Sequence, residues 1–322
     1  MKIIPDSIDF DRYFDDSTDE QAKVRPASEF FDAVIDRFYG AGQAEHWTPT
    51  GFAKTAGKFD FRPGEVTLWA GVNKHGKTTL LSHVMLNVMR TGKKVCIASM
   101  EMQPSETMAK MSRQAAGVEL PSRSYLRAFH WWTDGLLWIY SHLGRLASKR
   151  VLAVAMYVRN ELKIDHLVID SLMKCGIGVE DLTGQKDFVD ALCTMARDTG
   201  LHVHLVCHMR KGENERVTPG KYDVKGAGEI TDLVDNIVIV WKNLQKQESI
   251  AAAERKKDGF ERETALIEAH AMADAFVRIA GQRNHSWEGS FAFWFDIASQ
   301  QFKENPKAHP TFLDFDLARE IA

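Results

Sequence analysis

Short apolar runs alternate with longer amphipathic stretches from Gly64 onward. The runs read VTLWAG, VCIASM, LWIYS, HLVID, HVHLVCH and NIVIVWK, whereas helical patterns start at Lys77 and lie near 147–162 and 187–198. Runs that are apolar at every position are typical of strands buried on both faces, and helices between such strands serve as crossovers. The pattern therefore predicts an α/β fold with a mostly parallel central sheet flanked by helices.

The pattern changes in the last third of the chain. Two apolar runs at 275–280 and 290–295 flank a turn-rich tip at 281–289, which predicts a C-terminal β-hairpin at the edge of the sheet. Residues 244–273 are strongly charged with a helical bias, and we expect them to form a solvated insertion. One amphipathic helical pattern lies at 28–39. The expected organisation is an N-terminal arm at 1–45, a main domain at 46–303 and a C-terminal tail at 304–322, which is expected to be disordered or to bind a partner.

A single motif indicates phosphate binding. The segment GVNKHGKT at 71–78 fits G-x-x-x-x-G-K-[ST], and it follows an apolar strand and precedes a helical pattern, as this motif requires. Its backbone N–H groups suit phosphate oxygens, Lys77 suits the terminal phosphates, and Thr78 suits magnesium. The alternative is a glycine turn that only links strand to helix, and the complete context argues against it. The expected nucleotide contacts are Gly71, Asn73, Lys74, His75, Gly76, Lys77, Thr78 and Thr79.

Two carboxylates follow predicted strands. Asp170 ends HLVID and Glu101 ends VCIASM, so in a parallel sheet both fall at the edge that carries the phosphate loop. Asp170 can orient the magnesium shell there, although an aspartate after a strand can also cap a helix. Glu101 can accept a proton from the attacking water, although it can also be a surface residue that begins a loop. Proximity to the phosphate loop favours the catalytic readings.

Composition limits the function only weakly. The 44% hydrophobic and 26% charged residues are ordinary for a globular protein, and the net charge of -3 means that contact with a polyanion needs a locally basic surface. Cysteines at 96, 175, 193 and 207 lack metal-ligand spacing, so we expect buried free thiols. The N-terminus lacks a signal pattern and no run of eighteen apolar residues occurs, which predicts a cytoplasmic protein without a membrane segment.

Seven segments carry a family resemblance, in the family's order, over roughly residues 46–302. They are TPTGF at 48–52, GVNKHGKTT, SMEM at 99–102, HLVIDSL, LVCHMRK at 205–211, KGAGEITDLVDN at 225–236 and QRNHSWEG at 282–289. In these segments the chain resembles the hexameric replicative helicases, which include the bacterial DnaB-like helicases, the helicase half of phage primase-helicases and the mitochondrial helicase Twinkle.

The resemblance implies a RecA-like P-loop NTPase core that uses ATP, or another NTP or dNTP, with Mg²⁺. It implies a ring-forming, hexameric helicase of DNA replication that moves on single-stranded DNA, works with a primase, polymerase or loader, and lies in the host cytoplasm if it is encoded by a phage. Glu101 is then the catalytic base and His208 the sensor of the γ-phosphate, where the phage and mitochondrial branches are similar in having histidine. A histidine satisfied within the core is the alternative. The pattern at 28–39 is similar to the family's linker helix.

A basic stretch resembles the DNA loops that the family places in the pore. Arg210, Lys211, Arg216, Lys221 and Lys225 fall within sixteen residues, and Gly226-Ala-Gly228 follows them. Cationic side chains and bare backbone suit the phosphates of a single strand. The expected DNA contacts are Arg210, Lys211, Lys225, Gly226 and Gly228. A solvated charged loop is the alternative.

The arginine finger is the least defined part of the resemblance. Bacterial members carry K-Q-R at the hairpin tip, where this chain has Gly281 followed by Gln282 and Arg283. Phage members carry the trans-acting arginine after an earlier strand, where this chain has Lys242. Arg283 is preferred, because lysine lacks the planar fork that clamps a phosphate. In the alternative reading, Arg283 only pairs with a nearby carboxylate such as Glu288.

Two other classes of function stay open from the sequence. One is a RecA- or RadA-like recombination ATPase that coats DNA as a filament, and the other is a KaiC-like ATPase that acts on proteins. A recombinase should carry a polymerisation motif in its N-terminal arm and a second DNA-binding domain, and neither is evident.

Overall fold

A computed structural model describes residues 2–4, 26–32, 34–35, 47–178, 180–209, 219–224 and 228–315. Alternating apolar runs and amphipathic stretches form the strands and helices where the sequence predicts them. The strands are β1 (Lys2–Ile4), β2 (Thr48–Pro49), β3 (Asp60–Phe61), β4 (Val66–Gly71), β5 (Val95–Ser99), β6 (Leu137–Tyr140), β7 (His166–Asp170), β8 (His202–His208), β9 (Asn236–Lys242), β10 (Ala275–Gln282), β11 (Gly289–Asp296) and β12 (Gln301–Lys303).

The helices follow the strands in the order that crossover connections require. They are α1 (Lys77–Arg90), α2 (Pro104–Ala116), α3 (Arg123–Thr133), α4 (Ser148–Asn160), α5 (Leu182–Thr199), α6 (Ile230–Leu233), α7 (Leu244–Glu254) and α8 (Gly259–Ala271). Within the described part of the chain, no helix has the length and apolar character needed to cross a membrane.

A ten-stranded sheet runs through the molecule in the order β1-β6-β5-β7-β8-β4-β9-β10-β11-β12. The strands from β1 across to β9 are parallel, and β10, β11 and β12 continue the sheet in antiparallel pairing. The predicted mostly parallel α/β fold with a C-terminal hairpin is confirmed. A separate small sheet joins β2 and β3.

Helices cover both faces of the sheet and produce two buried clusters. On one face α4 and α5 contribute Val154 and Leu192, which pack with residues such as Leu68 of β4. On the other face α1, α2 and α3 contribute residues such as Met85 and Phe129. The strands of the parallel part are buried on both faces, which explains why their sequences are mostly apolar and do not alternate with exposed polar residues. All four cysteines are buried and none of them forms a disulfide bond, as predicted.

The charged segment at 244–273 forms α7 and α8, which pack against each other outside the sheet. Most of α8 is exposed, and its large side chains Phe260 and Ile267 face solvent. This agrees with the predicted solvated insertion. At the N-terminus the structure adds a strand that the sequence pattern does not predict, because β1 has only three residues. The helical pattern at 28–39 is described only at 27–32 and 34–35, where its residues are helical.

The C-terminal tail differs from its prediction over residues 305–315. The Leu313 N–H donates to the Ala115 carbonyl at 2.8 Å, and the Tyr125 hydroxyl donates to the Leu313 carbonyl at 3.0 Å. Phe315 packs against Trp132, with ring centroids 5.2 Å apart. Aromatic side chains spaced along an irregular segment carry no periodic signal, yet here they cover the apolar side of α3. Residues 316–322 lie outside the described part.

Three buried histidines lie on two neighbouring strands, His166 on β7 and His202 and His204 on β8. The Trp69 indole N–H donates to His204 Nδ1 at 3.1 Å, so His204 carries its proton on Nε2 and donates to His166 Nδ1 at 3.2 Å. His166 therefore donates through Nε2 to Thr48 Oγ1 at 3.1 Å. His202 is also bonded at both nitrogens, to the Arg62 carbonyl at 2.6 Å and to the Thr67 hydroxyl at 2.9 Å. All three rings are thus neutral and fully paired.

Acidification is expected to destabilise the fold through these rings. Burial lowers the pKa of His202 to about 4, and burial together with neighbouring His202 holds the pKa of His166 and His204 well below 6.5. Below the ordinary pKa the unfolded chain binds protons at these positions and the folded chain does not. The free energy of unfolding should therefore fall by up to about 1.4 kcal/mol per pH unit for each histidine, measured by urea titrations between about pH 6.5 and about pH 5.5.

The pH window of this experiment is chosen for a physical reason. Burial raises the pKa of Asp170 and Asp235. At lower pH, protonation of these carboxyl groups therefore raises the free energy of unfolding, whereas protonation of the histidines lowers it. Lys93 and Arg62 lower the histidine pKa values further, whereas Asp235 raises that of His202. Replacing the exposed His270 of α8 by glutamine is the control and should leave the slope unchanged. Stability that does not vary with pH across this window would contradict the prediction.

Candidate nucleotide-binding and hydrolysis site

The predicted site residues meet at one edge of the sheet. Because β5, β7, β8 and β4 are parallel neighbours, their carboxyl ends lie side by side. The register pairs Ser99 with Asp170, and it pairs Gly71 with His208. Glu101, Asp170, His208 and the phosphate loop therefore share this edge, as the sequence predicts.

Backbone constraints explain the two glycines of the phosphate loop. Any Cβ at Gly71 would collide with the Val240 carbonyl oxygen, so only glycine lets β4 turn into the loop beside β9. Gly76 has φ +88°, a left-handed conformation that favours glycine, and it immediately precedes α1. The N-terminal N–H groups of α1 are therefore directed into the loop, where they suit an anion.

Lys77 is buried and lies over the loop. Its Nζ donates to the carbonyl oxygens of Gly71 at 2.8 Å and Val72 at 3.0 Å. Burial lowers the pKa of Lys77, and the negative charges of Asp170 and Glu101 raise it. A buried ammonium without a full counter-charge favours an incoming anion, because the anion restores pairing that desolvation has removed.

Thr78 and Asp170 are in direct contact. The Thr78 hydroxyl donates to Asp170 Oδ2 at 2.7 Å. Burial raises the pKa of Asp170, the Thr78 hydrogen bond lowers it, and Glu101 raises it again. A bound cation would compensate the negative charge of the buried Asp170 carboxylate. A hydroxyl and a carboxylate are hard oxygen ligands of the kind that Mg²⁺ uses beside phosphates, so the residues present fit an Mg²⁺-nucleotide complex.

Glu101 contacts two groups of the same edge. Its Oε1 accepts from the Ser171 hydroxyl at 3.2 Å and lies 3.9 Å from His208 Nε2. The Glu101 side chain is 39% exposed, so water can reach it. The structure thus brings together the predicted base and the predicted sensor.

The other loop residues have different surroundings. Asn73 and Lys74 are exposed at the turn of the loop, and Thr79 is half-buried in the first turn of α1. The His75 ring is buried, and its Nδ1 accepts from the Lys242 N–H at 3.2 Å. His75 therefore connects the loop to the end of β9. This contact was not expected from the motif, in which His75 is a variable position.

Sequence reasoning missed two residues at this edge. Ser171 follows Asp170 directly, so its place after a strand was a usable signal. Lys110 lies on α2 and lines a small cavity of about 20 Å³ together with Thr78 and Asp170. Burial lowers the pKa of Lys110, while Asp170 and Glu106 raise it. Nothing in the local sequence distinguishes Lys110 from a surface lysine of an amphipathic helix.

The predicted DNA-binding residues are described only in part. Arg210, Lys211, Lys225 and Gly226 lie outside the described residues, whereas Gly228 is exposed just before α6. Between these positions, Met209 pairs with Val224 and holds residues 219–224 against the end of β8.

A lysine and an aromatic side chain lie on this short segment. Tyr222 is 80% exposed, and Lys221 Nζ lies 5.1 Å from the centre of its ring. Sequence reasoning missed Tyr222 because it considered only charge and glycine in this loop.

Arg283 does not extend from the hairpin tip as the sequence suggests. Its Nη2 donates to the Asp232 carbonyl at 2.8 Å and the Leu233 carbonyl at 3.2 Å, and its Nη1 lies 3.8 Å from Asp235 Oδ1. The acidic partner is therefore Asp235 and not the expected Glu288. The Arg283 side chain remains 47% exposed.

The two candidate fingers lie at opposite edges of the sheet. Gln282 pairs with Asn236 of β9, and Asn236 pairs with Thr67 near the start of β4. Arg283 follows Gln282, so it lies roughly 13 Å along the strand direction from the edge that carries the phosphate loop. Lys242 ends β9 at the same edge as the phosphate loop, and its N–H contacts His75.

The sheet, the glycine turn and the helix that follows it define a P-loop NTPase with a RecA-like core. Residues 55–214 match a family model described as "AAA domain", and this match supports nucleoside triphosphate hydrolysis at the phosphate loop. The predicted resemblance to the fold of DnaB-like replicative helicases is confirmed by two solved structures.

The first structure is described as that of a DnaB-like replicative helicase and its interactions with primase. It has 14% sequence identity and a TM-score of 0.65, and the match covers 87% of this chain and 67% of that chain. The second is described as the ATPase domain of G40P. It has 16% identity and a TM-score of 0.67, and the match covers 87% of this chain and 99% of that one. At these identities the likeness establishes the fold.

Proposed function

We propose that this protein is an ATP-driven helicase or translocase that forms a ring, with six subunits as in the family it resembles, around single-stranded DNA. The observation that carries the proposal is the contact of Glu101 with Ser171 and its approach to His208, at the edge where the phosphate loop and Asp170 lie. His208 ends the strand that leads into the basic stretch at 210–228. His208 can therefore couple the presence of the terminal phosphate to the contact between the protein and the DNA strand.

Each residue of the edge has a defined task in hydrolysis. Lys77 exchanges its two loop carbonyls for the terminal phosphates, and Thr78 and Asp170 would hold the Mg²⁺ that accompanies the nucleotide. When bound, Mg²⁺ would neutralise charge on the phosphates. Glu101 accepts the proton of the attacking water, and Ser171 orients the Glu101 carboxylate. His208 hydrogen-bonds the terminal phosphate and changes its contact when that phosphate leaves.

Arg283 supplies the remaining positive charge to the nucleotide of a neighbouring subunit. A head-to-tail ring places one face of each subunit against the opposite face of the next. Arg283 lies away from its own phosphate loop, which favours an action on the neighbour, whereas Lys242 lies beside its own loop. The name of the DnaB-like neighbour further suggests a primase as a partner class.

Single-stranded DNA is expected to be held by two separable contributions. Replacing Lys211 and Lys225 together by alanine should weaken binding to all sequences alike and flatten its salt dependence by about one to two counterions. Replacing the exposed Tyr222 by alanine should cost about 1–3 kcal/mol through lost base stacking without changing the salt slope. Fluorescence anisotropy with labelled oligonucleotides over a salt series measures both effects.

Tyr222→Phe is the matched control, because it keeps the aromatic face and removes only the hydroxyl. It should bind DNA like the unchanged protein. A salt slope that survives the double lysine substitution would place the DNA on another surface, and equal losses in the alanine and phenylalanine variants would rule out stacking.

Electron microscopy tests the proposed function against its main alternative. With a nonhydrolysable ATP analogue and an oligonucleotide, closed rings are expected. Continuous filaments would instead identify a RecA- or RadA-like recombination ATPase. Absence of any DNA-stimulated hydrolysis would favour a KaiC-like ATPase that acts on proteins.

A further inference from the structure

Lys110 on α2 carries a positive charge beside the residues that fit Mg²⁺. It lines a cavity of about 20 Å³ together with Thr78 and Asp170, and Lys110 and Asp170 are the charged residues of that lining. Within the described part of the chain, the Lys110 Nζ forms no ion pair, and its hydrogen-bond acceptor is the Met102 sulfur at 3.7 Å. A thioether is a weak acceptor, so the immediate surroundings of this ammonium compensate its charge poorly.

Packing fixes the part of α2 that carries Lys110. The next residue, Met111, is fully buried in the cluster between α1, α2 and α3. One turn further along α2, the Gln114 side chain donates to the Thr79 carbonyl at 2.8 Å and accepts from the Ser82 hydroxyl at 2.9 Å. These bonds join α2 to the start of α1, the helix that follows the phosphate loop. The main chain at Lys110 is therefore held in place relative to that loop.

Lys110 completes a balance of charges around Asp170. Burial lowers the pKa of Lys110, and the carboxylates of Asp170 and Glu106 raise it, which favours the charged form. Burial raises the pKa of Asp170, whereas Lys77 and Lys110 lower it. Glu101 adds a second carboxylate that acts on Asp170. Two carboxylates thus face two ammonium groups, so a divalent cation without a nucleotide meets no net negative charge. Without Lys110 the same groups would carry one net negative charge.

We propose that Lys110 is a specificity-determining residue of the hydrolysis site, and that its charge reserves Thr78 and Asp170 for a divalent cation that arrives with nucleotide phosphates. The inference rests on the proposed function, because it concerns the same site. Lys110 repels a free divalent cation and attracts a polyphosphate, so it acts with opposite signs on the two partners. The complex of cation and nucleotide has a smaller net charge than either partner alone, so its binding depends least on Lys110.

The test replaces Lys110 by methionine, which keeps an unbranched apolar side chain and removes the charge. Mn²⁺ is the metal probe, because it takes the same hard oxygen ligands as Mg²⁺ and its unbound fraction is measured by electron paramagnetic resonance. Without nucleotide, Lys110→Met should bind Mn²⁺ about five- to tenfold more tightly than the unchanged protein does. Fluorescently labelled ADP in EDTA should bind about five- to tenfold more weakly, because the nucleotide loses an attractive charge.

Three further variants control for charge and for place. Lys110→Arg keeps the positive charge and should leave both affinities within about twofold of the unchanged protein. Lys149→Met removes one exposed positive charge from α4, on the other face of the sheet, and should change neither affinity. Adding Asp170→Asn to Lys110→Met should abolish the gain in Mn²⁺ affinity, which assigns that gain to this site.

A purely structural role of Lys110 would give a different result. If the side chain only packs against Met102, its replacement would loosen the site and weaken the binding of Mn²⁺ and ADP alike. Losses of the same sign, or an unchanged or unmeasurable Mn²⁺ affinity in Lys110→Met, would overturn the proposal. Lys110→Gln, which is also neutral, repeats the test if the methionine variant does not fold. These measurements need no DNA, so their failure is distinct from failure of the proposed helicase function, which electron microscopy detects.

Discussion

Replacing Lys77 by alanine, or Glu101 by glutamine, is expected to lower ATP turnover at least about a hundredfold. Lys77 is the buried ammonium of the phosphate loop, and its removal takes away the positive charge that this loop offers to the terminal phosphates. Glutamine at 101 keeps the shape of the side chain and its contact with Ser171, but it cannot accept a proton. The glutamine variant should therefore bind ATP with near-normal affinity and fail in the chemical step.

A coupled ATPase assay together with a fluorescent-nucleotide titration measures turnover and binding separately. Glu106→Gln is the matched control for Glu101→Gln, since Glu106 lies nearby in the first turn of α2 and caps that helix. Glutamine can replace glutamate in such a capping box, so the control should retain its turnover. Turnover at the unchanged level in Glu101→Gln would remove Glu101 from the mechanism.

Arg283→Ala is expected to assemble, bind ATP and lose roughly a thousandfold or more in hydrolysis rate. A finger stabilises charge in the transition state and contributes less to binding of the ground state. The variant also loses its contact with the end of α6, so its melting temperature is measured alongside. Mixing it with Lys77→Ala subunits, which are inactive alone, should restore part of the turnover. In mixed rings an intact phosphate loop then faces an intact finger.

Lys242→Ala separates the two candidate fingers. It changes a residue at the phosphate-loop edge of its own subunit and keeps the main-chain N–H that His75 accepts. When Lys242→Ala subunits are mixed with Lys77→Ala subunits, ATP turnover should not exceed the turnover of the Lys242→Ala protein alone. If Arg283→Ala keeps full DNA-stimulated turnover, the trans-acting residue is not Arg283, and Lys242 becomes the next candidate.

The sequence predicts the core of this fold because burial on both faces leaves a visible pattern. β4, β7 and β9 are short, mostly apolar runs, and parallel strands place their carboxyl ends together. The proximity of Asp170, Thr78 and Glu101 could therefore be inferred before any distance was known. In this part of the sheet, the strands predicted from the local apolar pattern are the strands that the topology places side by side.

The surroundings of Arg283 and the tail were not predictable in this way. A turn sequence indicates where a hairpin reverses, but the acceptors of Arg283 are main-chain carbonyls about fifty positions earlier, which no residue identity reveals. Leu313 joins the core through main-chain hydrogen bonds to Ala115 and Tyr125. Such contacts depend on the completed fold and not on the composition of the segment.

The placement of Arg283 and the phosphate loop at opposite edges of one sheet has a consequence for the kinetics. Under the proposed function, no isolated chain holds a whole site, so activity is governed by mass action between subunits. Turnover per chain should be close to zero in dilute solution, rise steeply over the concentration range of assembly, and then level off. Specific activity measured at one protein concentration would therefore describe the association equilibrium as much as the chemistry.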